Sequence, residues 1–250
     1  MKNCLLEICV DSYESARRAA ENGADRLELC ANLLLGGTTP SPVLVRQAVG
    51  LGVPVNVLIR PRFGDFCFTA EEKEEILWQI GDCAAAGASG VVIGALNPDG
   101  TLDTAFLKDC MDRAGGMDVT LHRCFDVCRD PLIGLEQAVM LGIDTILTSG
   151  QESGAEKGME LLALLHKRAA GRIQLMAGAG VSPKNIPLIH EKTGITHFHL
   201  SGKRTEEGPM EFRRQGVPMG LPMASEFDRQ YTAPETVRAA RMAIDGLKTE

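Results

Sequence analysis

A closed parallel (β/α)8 barrel of the TIM type is the fold class that the sequence predicts, and three observations predict it. Short apolar runs alternate with helical patterns along nearly all of the 250 residues. The starts of these runs lie 21 to 37 residues apart, the spacing of a βα unit whose helix crosses back over a parallel sheet. Gly23, Gly52, Gly87, Gly142 and Gly194 each close a helix just before the next run, as helix C-caps do. Eight evenly spaced units, with no GxGxxG after the first strand, argue against an open doubly wound sheet, the competing α/β architecture.

The elements follow in order. LLEIC (5–9) is the first strand, SYESARRAAENG returns the chain, and RLELC (26–30) is the second. GGTTPS (36–41) reads as the loop into the second helix, with Thr39 or Ser41 capping it and Pro40 or Pro42 near its start. VPVNVLIR (53–60) is the third strand, and AEEKEEILWQIGDCAAAG carries the chain to GVVIGAL (90–96). DVTLHRC (118–124), TILTSG (145–150), RIQLMAG (172–178) and THFHLSG (196–202) complete the eight, and APETVRAARMAIDGLK (233–248) supplies the last helix. ENGAD, AAGAS and MLGID recur at helix-to-strand joints. One domain is expected over 1–250, with 203–232 an irregular segment before the last helix, rich in Gly, Pro and Met. A loop of that length is usually functional or ordered by a partner, and a homo-oligomer is expected.

Composition excludes several classes. The charge of −7 and the lack of a basic run give nucleic acid no attraction. No uninterrupted apolar stretch is long enough to span a bilayer, so no membrane partner is expected. MKNCLLEICVDSYES reaches charged residues too soon for a signal peptide, and a cytoplasmic protein is expected. There, the eight cysteines are read as thiols rather than disulfides.

Alternation along the strands sets which side chains enter the barrel. Leu6, Ile8, Leu27, Leu29, Val55, Val57 and Ile59 face the helices, so Glu7, Cys9, Arg26, Glu28, Cys30, Asn56, Leu58 and Arg60 face the lumen. Thr120, His122, His197, His199 and Ser201 join them from strands five and eight. Unpaired charges are costly in such a space, and most of these groups lie at strand C-termini, where barrel active sites sit. The Glu-x-Cys pairs, Glu7 with Cys9 and Glu28 with Cys30, therefore read as one wall of a mouth-facing pocket; a layer of purely structural ion pairs is the alternative.

GADRLELC, GGTTPS, IRPRFGDF, TLHRCFD, LTSG, MAGAGV and HFHLSG, in that order, resemble the CutC copper-homeostasis family from about residue 5 to MEFRRQG near 210–216. The resemblance implies a TIM barrel, a cytosolic location and a link to copper tolerance and copper binding. Phe63 stands where the family pattern has a second Gly, Cys124 where it has Ala, and Gly202 where Ala often follows the strand-eight Ser.

Two functional readings follow. Cu(I) is soft and prefers thiolates, and Cys9 and Cys30, at equivalent positions on adjacent strands, are expected roughly 5 Å apart before shear. They form the metal set, with Cu(I) as cofactor, and the histidines stay outside it; no nucleotide cofactor is expected. The alternative is an enzyme of lyase or isomerase type, doing acid–base chemistry on a small anionic, possibly phosphorylated substrate. Its catalytic set is Glu7, Glu28, Arg60, Asp65, His122, Arg123, Asp126 and His199, with Gly64 bending the loop so that Asp65 turns back toward Arg60. Ser149, Gly178, Gly180, Ser201 and Gly202 form an anion-binding set after strands six, seven and eight, and Ser182-Pro183 is read as the start of helix seven.

Overall fold

The computed structural model describes residues 4–217, 219–220 and 225–247. Eight parallel strands close into a barrel: β1 (Leu5–Val10), β2 (Arg26–Leu29), β3 (Val55–Leu58), β4 (Gly90–Ile93), β5 (Asp118–Leu121), β6 (Thr145–Thr148), β7 (Gln174–Ala177) and β8 (His197–Leu200), with β8 pairing back onto β1. The helices between and after them are α1 (Tyr13–Glu21), α2 (Pro42–Val49), α3 (Ala70–Ala85), α4 (Thr104–Ala114), α5 (Pro131–Leu141), α6 (Met159–Ala169), α7 (Ile186–Thr193) and α8 (Pro234–Asp245). This is the (β/α)8 TIM barrel that the repeat of strand and helix predicts. The last expected helical residue, 248, lies outside the described residues. No helix among the described residues is long and apolar enough to cross a membrane.

The strand phase places Leu6, Ile8, Leu27, Leu29, Val57, Ile59 and Phe198 in the main apolar core, all almost fully buried. Each such side chain contributes about 1.5–3 kcal/mol by leaving water. A second, small apolar cluster fills part of the lumen: Cys9, Cys30, Leu58 and Val92.

The recurrent joints have a physical reason. Asp25 donates its N–H to Leu6 O at 2.9 Å, while its Oδ2 accepts the Leu6 N–H at 2.8 Å. Asp144 does the same to Val119, at 3.0 and 2.8 Å, and Ser89 to Val55, at 2.9 and 3.3 Å through Oγ. The third residue of each Gly-x-Asp or Gly-x-Ser joint thus clasps one residue of the preceding strand through both backbone groups. The Gly supplies the left-handed turn that brings it there, with φ +106 at Gly23, +82 at Gly87 and +77 at Gly142. Gly142 and Gly194 are themselves C-caps, whereas Asn22, Gly50 and Ala86 cap the helices that precede Gly23, Gly52 and Gly87.

Three local expectations are resolved or corrected. Ser41 caps α2 by accepting the Leu44 N–H, and Pro42 opens the helix, while Thr39 Oγ1 accepts the Arg60 N–H instead. Helix α7 begins at Ile186 rather than at Ser182-Pro183. Asn185 Oδ1 accepts the Ser182 N–H and Ser182 O accepts the N–H groups of Asn185 and Ile186, which winds a separate turn ahead of the helix. The segment 203–232 is not irregular throughout: β9 (Lys203–Glu207) and β10 (Asp228–Thr232) pair antiparallel. Their alternation is polar on both faces, so no apolar period marks them; Glu206 lies opposite Arg229, and the Thr232 N–H donates to Ser15 Oγ on α1.

Replacing Asp144 by Ala leaves the Val119 N–H without its acceptor and is expected to destabilise the fold by about 1–3 kcal/mol. Urea unfolding should show a lower midpoint at unchanged slope, with Asp144→Asn, which keeps an acceptor oxygen, recovering most of the loss.

Candidate functional site at the barrel mouth

The barrel stagger decides which side chains meet. Glu7 is in register with Arg26 on one side and His199 on the other, and Cys9 is in register with Glu28. Like is therefore not beside like: the two Glu-x-Cys pairs are offset by two residues, as the shear of a closed barrel requires. This corrects the expectation that Cys9 and Cys30 occupy equivalent positions. Their sulfurs nonetheless lie 3.7 Å apart, with Cys30 two residues beyond the register partner of Cys9.

Around them is a buried ionic cluster. Arg26 Nε donates to Glu7 Oε2 at 2.6 Å, and His199 Nδ1 lies 2.7 Å from Glu7 Oε1. His199 Nε2 faces Glu28 Oε2 at 3.6 Å, and one ligand atom each from Cys9, Glu28 and His199 fall within 4.8 Å of one another. Glu7 is fully buried, yet its carboxyl is held down to about 2, because Arg26 and His199 outweigh the burial that would raise it. Burial opposes charge on His199 as well, but Glu28, Cys9 and Glu7 hold its imidazole well above the usual range. Burial pushes Glu28 up, against the pull of His199. The hydrogen bond with Cys30, burial and the nearby Glu28 push the Cys9 thiol well up; burial and Glu28 also raise Cys30, although its bond with Cys9 acts in the opposite sense.

A cavity of about 460 Å³ opens above the cluster, lined among others by Cys9, Cys30, Arg60, His122, Arg123 and His199. A second, of about 450 Å³, adjoins it and shares Cys9, Arg123 and His199; Gly180, Ser201 and Gly202 line it, together with Lys203. Of the expected anion-binding set, Ser149 and Gly178 line neither. Ser149 is fully buried and bonded to Asp126, and Gly178 packs so closely on Leu147 that a Cβ would lie 2.5 Å from it.

The expected acid–base residues separate in the structure. Glu7, Glu28, Arg60, His122, Arg123 and His199 gather at the mouth. Asp65 does not turn back to Arg60: Arg62 Nη2 holds it at 3.2 Å, and its side chain is 77% exposed. Asp126 does lie beside the cavity, but both oxygens are engaged. Oδ1 accepts from Thr148 Oγ1 at 2.5 Å and Gln151 N at 3.2 Å, and Oδ2 accepts from Arg123 Nε at 2.7 Å and Ser149 Oγ at 2.9 Å. It anchors the β5 loop to the end of β6.

Two roles escape sequence reading. Arg26 faces the lumen as expected, but its partnership with Glu7 depends on the stagger, which periodicity does not encode. His199, set aside as a metal ligand, has Nδ1 bonded to the fixed Glu7 carboxylate and Nε2 3.6 Å from Glu28 Oε2, and it offers a ring nitrogen within 4.8 Å of ligand atoms of Cys9 and Glu28.

Comparison with known proteins places these residues in a family context. The family model described as the CutC family matches residues 4–204. A CutC family protein of Bacteroides fragilis is 44% identical over 250 residues, covering 99% of this chain and 98% of its own. A CutC family protein of Pasteurella multocida is 41% identical, covering 96% and 98%. The crystal structure of a CutC chain from Streptococcus agalactiae, whose name connects it with copper homeostasis, superposes with a TM-score of 0.76 at 29% identity, covering 79% of this chain and 98% of that one.

The Glu7 shift carries a stability consequence. Its folded pKa of about 2 lies below the ordinary 4.5, so the carboxylate stabilises the fold fully above pH 4.5 and loses that contribution as pH falls toward 2. The difference corresponds to about 3 kcal/mol. Glu7→Gln should remove roughly that amount at pH 7 and flatten the stability profile between those pH values; denaturant unfolding across pH 2–7 checks it, and parallel wild-type and variant profiles would contradict it.

Proposed function

The chain belongs to the CutC family, and from that premise we propose that it is a copper-homeostasis protein that binds Cu(I) at the C-terminal mouth of its barrel, through Cys9 and Cys30 with His199 as a third donor. The observation that carries this reading is the 3.7 Å approach of the two sulfurs beside the His199 imidazole. Paired thiols with an imidazole suit a soft, low-coordinate ion far better than a hard one. Leu33, Leu58 and Val92 pack against the thiols and give them a dry, low-dielectric shell, which favours Cu(I) over the more strongly hydrated Cu(II). Glu7, clamped by Arg26, would keep the proton on His199 Nδ1 and fix the ring, so that Nε2 becomes the donor once its own proton, which the surrounding carboxylates favour, is lost to solvent.

All eight cysteines are free thiols, consistent with a reducing compartment such as the cytoplasm. The acid–base enzyme reading stands second, because Asp126 is engaged in loop anchoring and Asp65 points to solvent, which removes two carboxylates from its catalytic set.

Cu(I) binding is measured by competition with a chromogenic chelator under anaerobic conditions. Cys9→Ser combined with Cys30→Ser should abolish it, and His199→Asn should weaken it without abolishing it. Unchanged affinity in the double variant rules this site out.

A further inference from the structure

The opposite wall of the same cavity has features that copper leaves unexplained. Arg60 is 8% exposed, and no carboxylate pairs with it among the described residues. Its Nη1 donates to Gly36 O and Gly37 O at 3.3 and 3.2 Å, and its Nη2 to Gly64 O at 2.8 Å. Of the five guanidinium donors this leaves Nε–H, which is buried and without an acceptor, and one hydrogen on Nη2. Nε and Nη2 form the edge that takes a carboxylate side-on. The carbonyls and the Phe66 ring, 4.9 Å from the guanidinium carbon, cradle the charge but do not neutralise it. Burial and the like charge of Arg62 both lower its pKa.

His122 stands close by, its ring centre 4.8 Å from that of Phe66. Its Nδ1 accepts the Cys124 N–H at 3.1 Å, so the neutral ring carries its proton on Nε2. Burial and Arg60 keep it neutral, with a pKa lowered to about 3. Nε2–H is buried and has no acceptor among the described residues. Buried donors are almost always satisfied, and these two, on residues that line one cavity, leave acceptor positions that no group among the described residues fills. Arg123, with its side chain 44% exposed, adds positive charge at the rim. Leu33, Leu35, Leu58, Phe66, Val127 and Leu147 supply apolar lining; the remaining charged groups are Asp126, already engaged by its four donors, and Glu28 with His199 on the β2 and β8 side.

We infer that this cavity binds a small organic carboxylate with an apolar body, whose carboxylate oxygens take the free donors of Arg60 and His122 while its body lies against the leucines and Val127. A few donors set in an apolar wall match a monoanion with a hydrocarbon portion; a phosphate would want more donors and gain nothing from that wall. The volume of about 460 Å³ accommodates such a molecule. The inference goes beyond the copper reading and does not rest on it, since the thiols belong to the β1 and β2 side and these donors to the ends of β3 and β5.

The test uses the whole protein with hexanoate, benzoate and inorganic phosphate as probes, followed by ligand-observed NMR and calorimetry at pH 7. Hexanoate or benzoate should saturate the protein below about 10 mM. Arg60→Met should weaken that binding about tenfold or more. Because that change also frees three loop carbonyls, His122→Asn serves as an independent variant: Asn still accepts the Cys124 N–H but lacks the Nε2 donor, and a loss of about threefold to tenfold is expected. The titrations use metal-free protein with a Cu(I) chelator present, so carboxylate binding is read with the copper site empty and the two inferences fail separately. Equal affinity in the wild type and both wall variants overturns it, as does no carboxylate binding up to about 10 mM or tighter binding of phosphate than of either carboxylate.

Discussion

The buried bridge from Arg26 through Glu7 to His199 is the constraint on which the mouth of this barrel depends. It joins β2, β1 and β8, the strands on either side of the seam where the cylinder closes. A carboxylate placed alone at the centre of a barrel would be intolerable; flanked on both oxygens by cations, it is held ionised and becomes a pivot. From that pivot the His199 ring takes its orientation, and from the ring Cys9 and Glu28 take their common neighbour. Around this pivot the β8–β1–β2 side of the lumen is an ordered layer, from the fully engaged Glu7 to the half-engaged Glu28 and the paired thiols.

A second anchor works at the rim. Asp126 gathers donors from Arg123, Thr148, Ser149 and Gln151, and so ties the loop after β5 to the end of β6. Arg123 is held by the same contact where the two cavities meet. Arg62 plays the corresponding part after β3: it binds Asp65, Glu72 and the Cys67 carbonyl, stiffening the loop whose Gly64 carbonyl receives Arg60. Charged residues near the mouth therefore divide into those that build loops and those that face the space between them.

Much of the architecture is legible in the sequence because it rests on periodicity. The inward phase of Glu7, Cys9, Glu28 and Cys30 follows from the outward phase of Leu6, Ile8, Leu27 and Leu29, and apolar burial enforces that phase strand by strand. What escapes is anything fixed by relative displacement or by competition among neighbours. The two-residue offset between β1 and β2 arises from closing the cylinder, so no local pattern reveals that Arg26 meets Glu7. Asp65 is expected to turn back, but Arg62, three residues away on the same loop, holds it. Ser182-Pro183 has the composition of a helix start, but Asn185 captures the Ser182 amide first and delays the helix to Ile186. The β9–β10 ladder is invisible to hydropathy because both its faces are polar.

The Gly-x-Asp and Gly-x-Ser clasps fall on alternate seams only: β1 with β2, β3 with β4, and β5 with β6. Each links residues 19 to 34 positions apart and needs nothing from the far side of the cylinder. These clasps are local in sequence and independent of how the ring is completed, whereas the closure through Glu7 and His199 joins residues 192 positions apart and brings His199 to Cys9 and Glu28.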